Sequence, residues 1–113
     1  MTSVYFNPKC SRCRTAQAIL ADKGVDATFI RYLDTPPTVD ELRHLMVLLA
    51  IDDPRQMMRP GEPVYRELEL DKASPEDLLA AITAHPILLE RPIVVVGERA
   101  VIARPPERLL EIV

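Results

Sequence analysis

Val4-Tyr5-Phe6-Asn7-Pro8-Lys9-Cys10-Ser11-Arg12-Cys13-Arg14 is the stretch whose reading decides the fold. Val4-Tyr5-Phe6 is short, apolar and β-prone, and Asn7-Pro8 ends it. The spacing of Ala16, Ile19 and Leu20 predicts a helix from near Cys10 to Lys23. Gly24 stands where a terminating glycine belongs. Ala27–Tyr32, with Phe29 and Ile30 at its centre, reads as a second strand. Strand, helix and strand in that order imply parallel strands joined by a right-handed crossover.

Downstream, Thr35-Pro36-Pro37 is a rigid connector, and Thr38 with Glu41 forms a capping-box pattern at the head of a helix. Leu42, Leu45, Met46 and Leu49 give that helix a buried face. A short helical piece is expected from Asp52 to Met58, and a loop over Arg59–Pro63. The acidic stretch Glu62–Asp71 reads as a solvated face. Ser74-Pro75-Glu76-Asp77 opens another helix, with Ser as cap, Pro in the first turn and acids facing the dipole. Pro86 stops it. Ile93–Val96 and Ala100–Ala103 read as a hairpin through Gly97-Glu98-Arg99, and Pro105–Leu110 as a last short helix. The order is β-α-β, a helical block, then β-β-α. It predicts an α/β chain, 1–113, forming one domain: a thioredoxin-like mixed sheet with a central helical insertion and helices on both faces. A cis Arg91–Pro92 bond facing Cys10 is expected from that topology.

The composition agrees with a globular chain. Its 113 residues are 48% hydrophobic and 27% charged, within ordinary limits. Fourteen basic against 17 acidic residues give a net charge of −3, which disfavours a broad nucleic-acid-binding face. The longest apolar run, Leu45–Ile51, is far too short to span a bilayer. Met1–Phe6 shows no charged region followed by an apolar stretch, so no secretory signal is expected, and the reading is of a cytoplasmic protein. No heptad or long exposed apolar stripe is visible, so a monomer is expected.

The chemistry concentrates at Cys10. Free N–H groups and the dipole at a helix N-terminus stabilise negative charge, and such an end is also a ready anion site. Lys9, Arg12 and Arg14 lie close by in sequence. Together these effects lower a thiol pKa, so Cys10 reads as a nucleophile supported by Arg12 and Arg14. Cys13 lies one helical turn on, within reach of a disulfide, and reads either as a resolving thiol or as a small buried side chain. Two cysteines and two unpaired histidines, His44 and His85, make a poor metal set, so none is expected. Arg59, Arg91 and Arg104 each stand beside a proline, and arginine's fork of donors suits multi-oxygen anions.

Tyr5-Phe6-Asn7-Pro8-Lys9-Cys10-Ser11 resembles the active-site loop of the glutaredoxin-dependent arsenate reductases of the ArsC type. Tyr32-Leu33-Asp34-Thr35-Pro36-Pro37-Thr38 is similar to that family's connector. Met58-Arg59, His85-Pro86-Ile87-Leu88, Glu90-Arg91-Pro92-Ile93-Val94-Val95 and Arg104-Pro105-Pro106-Glu107 follow in the family's order. The resemblance implies a thioredoxin-like fold in which the Cys10 thiolate attacks arsenate held by Arg59, Arg91 and Arg104. It implies glutathione as co-substrate, glutaredoxin or thioredoxin as partner, and no bound cofactor. Phe6 departs from the histidine of well-studied members, which puts the burden of thiolate stabilisation on the helix end and its cations. Cys13 replaces a frequent serine. The resulting pair is similar to that of Spx-type regulators, which sense oxidation and bind RNA polymerase. A dithiol–disulfide oxidoreductase using Cys10 and Cys13 is the other alternative.

Overall fold

The computed structural model describes residues 1–113 as two compact units. The first comprises Met1–Thr35 and Arg91–Val113, and the second Pro36–Glu90.

In the first unit, β1 (Thr2–Phe6) is followed by α1 (Ser11–Asp22) and β2 (Thr28–Arg31). The chain returns as β3 (Ile93–Val96), β4 (Arg99–Ile102) and a 3₁₀ turn over Pro106–Glu111. The strands form one mixed sheet in the order β2-β1-β3-β4. β1 runs parallel to β2 and antiparallel to β3, which pairs antiparallel with β4. Both the parallel pair and the hairpin were expected from the sequence. The cis Arg91–Pro92 bond is present, and Arg104–Pro105 is cis as well.

The core follows from strand alternation. Phe29 pairs with Val4, Val4 with Val94, and Val94 with Val101, which sets one apolar row across all four strands. That row packs with Ala16 and Leu20 of α1 and Leu109 of the C-terminal turn. Gly24, at φ +69°, closes α1 in the left-handed region that a side chain disfavours. Gly97, at φ +58°, does the same in the tight turn with Glu98 between β3 and β4.

The second unit is helical. It contains α2 (Val39–Leu49), a 3₁₀ turn over Pro54–Met57, α3 (Pro63–Glu67), a 3₁₀ turn over Leu70–Lys72, α4 (Pro75–Ala84) and a 3₁₀ turn over Pro86–Leu88. The capping box exists as predicted: the Glu41 N–H donates to Thr38 Oγ1 at 3.1 Å, and the Thr38 N–H donates to Glu41 Oε1 at 3.2 Å. Ser74 caps α4 by accepting from the Asp77 N–H at 3.2 Å. Thr83 Oγ1 donates to the Pro37 carbonyl at 2.9 Å, and Arg43 pairs with Glu76. The stretch Glu62–Asp71 is more than the solvated face expected of it. It buries Tyr65 and Leu70. The Arg55 guanidinium donates to the carbonyls of Leu70, Asp71 and Ala73 at 2.9, 3.2 and 2.8 Å. No helix is long and apolar enough to cross a membrane.

Candidate active site

The sheet register decides which side chains meet in the first unit. Tyr5 pairs with Ile93, Ile93 pairs with Ile102, and Phe6 pairs with Arg31. The C-terminal ends of β1 and β2, the start of β3 and the end of β4 therefore lie at one end of the sheet. From that end spring the Asn7–Cys10 loop, Tyr32, Arg91 and Arg104. The Ala103 N–H donates to the Pro92 carbonyl at 2.9 Å, which holds the two arginine-bearing ends of the hairpin together.

Asn7 shapes the nucleophile loop. Its carbonyl accepts the Cys10 N–H at 3.0 Å, its Oδ1 accepts the Lys9 N–H at 3.0 Å, and its own N–H donates to Cys13 Sγ at 3.4 Å. Cys10 is thereby set as the N-cap of α1, extended at φ −89° and ψ 125°, and its carbonyl accepts the Arg14 N–H at 3.1 Å. The thiol itself forms no side-chain cap, and the first turn of α1 holds no acidic residue. Both cysteines are free, Cys10 partly exposed and Cys13 buried.

This environment separates the two thiols. Burial alone would raise the Cys10 pKa, but hydrogen bonding from the Cys13 N–H, the Cys13 thiol, the Arg91 side chain and the Arg12 N–H outweighs it, and the net shift is downward. Cys13 goes the other way. Burial pushes it from 9.0 to about 11, against the pull of the Asn7 N–H and with a further push from Cys10. Of the two, Cys10 gives up its proton first as pH rises, and Cys13 stays protonated at neutral pH.

Arg12 acts on the thiolate through its backbone N–H, and the side chains of Arg12 and Arg14 are exposed. Arg91 lies against the site, and its Nε and Nη1 are buried without a hydrogen-bond partner. Arg104, half-buried, leaves the end of β4 beside it. Arg59 belongs to the second unit, where its N–H donates to the Leu88 carbonyl at 2.7 Å and its Nη2 meets Glu62 Oε1 at 3.4 Å. Phe6 serves packing: its ring meets Phe29 edge-on, with centroids 5.2 Å apart.

Sequence reasoning missed Tyr32. It is fully buried, and its hydroxyl has no hydrogen-bond partner. Its only sequence signal is a phenol at the end of a strand neighbouring the nucleophile's strand. A cleft of about 230 Å³ opens beside the loop, lined by Phe6, Asn7, Pro8, Lys9, Arg31, Leu33 and Asp34. Roomier clefts of about 530 and 410 Å³ lie in the second unit and are lined by no cysteine. No group of three His, Cys, Asp or Glu side chains is placed to hold a metal ion.

The site thus places a thiol whose pKa is drawn downward at a helix N-terminus beside buried guanidinium nitrogens, an arrangement suited to nucleophilic attack on an anion. The profile of the ArsC family matches residues 5–112. An arsenate reductase of Haemophilus influenzae is 44% identical over 111 residues, covering 96% of each chain. The Escherichia coli protein YfgD is 42% identical over 112 residues, covering 97% of this chain and 94% of its own. The solved structure of an arsenate reductase from Vibrio cholerae superposes with a TM-score of 0.96 at 44% identity, covering 99% of this chain and 97% of that one. The fold is the thioredoxin-like fold of those enzymes. With the match running almost end to end and the nucleophile loop inside it, this chain belongs to the ArsC family.

Proposed function

We propose that the protein is an arsenate reductase, an oxidoreductase that uses Cys10 as its nucleophile. The observation that carries this reading is the Cys10 thiolate site at the α1 N-terminus beside the unpartnered donors of Arg91. The names of the relatives support the choice of arsenate.

The Cys10 thiolate attacks the arsenic of arsenate, a sulfur–arsenic bond forms, and one oxygen leaves as water after protonation. Arg91 and Arg104 hold the remaining oxygens. Guanidinium donors placed where charge accumulates favour the adduct. A glutathione thiolate then attacks the Cys10 sulfur. The sulfur–sulfur bond forms, the sulfur–arsenic bond breaks, and its electron pair stays on arsenic. Arsenic(V) becomes arsenic(III), and arsenite leaves. Glutaredoxin with a second glutathione clears the Cys10–glutathione disulfide, so two thiols supply the two electrons. The site uses no resident cofactor, and we take residues 1–113 as one functional domain acting as a cytoplasmic monomer.

The Cys10–Cys13 pair supports a second reading. Cys13, already beside the Cys10 sulfur, would attack the adduct in place of glutathione, leaving an internal disulfide for thioredoxin to reduce. The upward shift of Cys13 makes it a slow attacker at neutral pH, so the glutathione route ranks first.

The test is arsenate-dependent NADPH oxidation coupled through glutathione, glutaredoxin and glutathione reductase. Wild type should turn over, Cys10→Ser should not, and Cys13→Ser should retain most activity. No turnover by wild type, either in this assay or with thioredoxin and its reductase in place of glutathione and glutaredoxin, refutes arsenate as substrate, and turnover with thioredoxin that is lost in Cys13→Ser moves the route to the internal disulfide.

A further inference from the structure

Tyr32 is the unpaired polar group that the mechanism above leaves unused. It follows Arg31, the last residue of β2, and Arg31 pairs in register with Phe6 at the foot of the nucleophile loop. Its backbone N–H turns back to the Ile30 carbonyl at 3.0 Å, which fixes the side chain at the end of the sheet that carries Cys10 and Arg91. The side chain has no exposed surface, and no partner meets its hydroxyl at hydrogen-bond geometry.

Buried hydroxyls nearly always have partners, so one without a partner calls for a cause. Arg91 supplies the context. Its Nε and Nη1 are the other buried side-chain atoms without partners, and Arg91 also supports the Cys10 thiolate. Burial raises the Tyr32 pKa above its ordinary value, the Arg91 charge pulls it down, Cys13 and Cys10 push it up, and a weak hydrogen-bonding pull of the Arg91 side chain on the phenolic oxygen lowers it. Its immediate electrostatic neighbours are therefore the groups of the site itself. A buried phenol and the buried nitrogens of a guanidinium thus share one neighbourhood with the Cys10 thiol.

We propose that the Tyr32 hydroxyl belongs to the oxyanion site: it donates a hydrogen bond to one oxygen of the tetrahedral oxyanion that Arg91 holds against the Cys10 sulfur. This rests on the reading of Cys10 as an oxyanion nucleophile. With its pKa raised by burial, the phenol is protonated at neutral pH and can donate there. A tetrahedral oxyanion offers oxygen acceptors on several sides at once. The guanidinium edge and the phenol can each take one, which favours such ligands over halides or small planar anions.

The experiment is alkylation of Cys10 by iodoacetamide, followed by intact-mass spectrometry at increasing arsenate, in wild type and Tyr32→Phe. Phenylalanine keeps the ring and removes only the unpaired oxygen, so the variant should fold and melt no lower than wild type. In wild type, arsenate should protect Cys10. In Tyr32→Phe the half-protecting concentration should rise about tenfold or more, the expected cost of one hydrogen bond to a charged ligand. The alkylation rate without arsenate, and its pH profile, should not move. Equal half-protecting concentrations in the two proteins overturn the role of Tyr32 and leave the Cys10 reading standing. A shifted pH profile without arsenate also overturns it, since Tyr32 would then act on the thiolate rather than on the ligand. Failure of arsenate to protect wild type overturns the oxyanion reading itself, and the Tyr32 role with it.

Discussion

Replacing Arg91 by methionine should separate activity from stability. Methionine keeps a long unbranched stem and deletes the guanidinium. The nitrogens lost include Nε and Nη1, which are buried and bonded to nothing in the structure. If both engage substrate oxygens, two charge-assisted hydrogen bonds disappear. Each is worth about 1.5–3 kcal/mol, or roughly 3–6 kcal/mol together. At about 1.4 kcal/mol per tenfold, this corresponds to a loss of about 10²- to 10⁴-fold in kcat/KM for arsenate. Arg91 also helps to hold the Cys10 thiolate, so part of the loss should appear as slower alkylation of Cys10 at neutral pH. Stability should respond differently. No hydrogen bond made by Nε or Nη1 is forfeited, and the melting temperature should fall by no more than about 4–8 °C, the shift that ~1 kcal/mol produces in a small domain. Arg91→Lys keeps the charge but loses the planar fork, and it should fall between methionine and wild type. Steady-state kinetics in the coupled assay, with a thermal melt beside it, read both quantities. A kcat/KM within about threefold of wild type in Arg91→Met would refute the assignment of its buried donors to the oxyanion, since that ratio is only about 0.6 kcal/mol.

The two thiols should behave as opposites. At neutral pH, iodoacetamide should modify Cys10 quickly and Cys13 only after denaturation, and the Cys10 rate should rise at lower pH than in the denatured chain; coincident profiles would contradict a lowered Cys10 pKa. Alkaline pH should destabilise the fold. The Cys13 pKa is higher folded than unfolded, so the unfolded chain releases its proton first. That contribution is fully present below the ordinary 9.0 and is lost as pH rises toward about 11. Tyr32, shifted in the same direction, adds to the loss. Urea midpoints should fall across that window and fall less steeply in Cys13→Ala; a flat wild-type profile would contradict the burial of these groups.

The fold was legible where local chemistry repeats. Ala16, Ile19 and Leu20 at helical spacing, with Gly24 behind them, placed α1 to within a residue or two. Thr38 with Glu41 and Ser74 with Asp77 marked two helix starts that carry the expected capping bonds. The stretch Glu62–Asp71 misled because its helical pieces are shorter than two turns, too short for apolar periodicity to show which residues turn inward. Tyr65 and Leu70 were thus hidden among acids. At the site, the position of Cys10 at the start of α1 could be read because a helix N-terminus is a local feature. Arg12 and Arg14 show the limit of that reasoning. They are near Cys10 in sequence, yet their side chains are exposed, and Arg12 helps through its N–H. Arg91 is distant in sequence and reaches the thiolate because the β1–β3 register brings the start of β3 to the end of β1. Tyr32 could not be recognised from sequence, because a tyrosine ending a strand reads as core. The lack of a partner for its hydroxyl emerges only from tertiary packing.

The most direct test of Cys10 as the oxyanion nucleophile is to trap the product of one turnover. The reduced protein is mixed with glutathione, with and without arsenate and without glutaredoxin, then acid-quenched and weighed intact. The mechanism predicts a Cys10–glutathione disulfide that forms only when arsenate is present, is absent from Cys10→Ser, and is matched by an equal amount of arsenite. Glutathionylation that ignores arsenate, or arsenite release that survives Cys10→Ser, would contradict it.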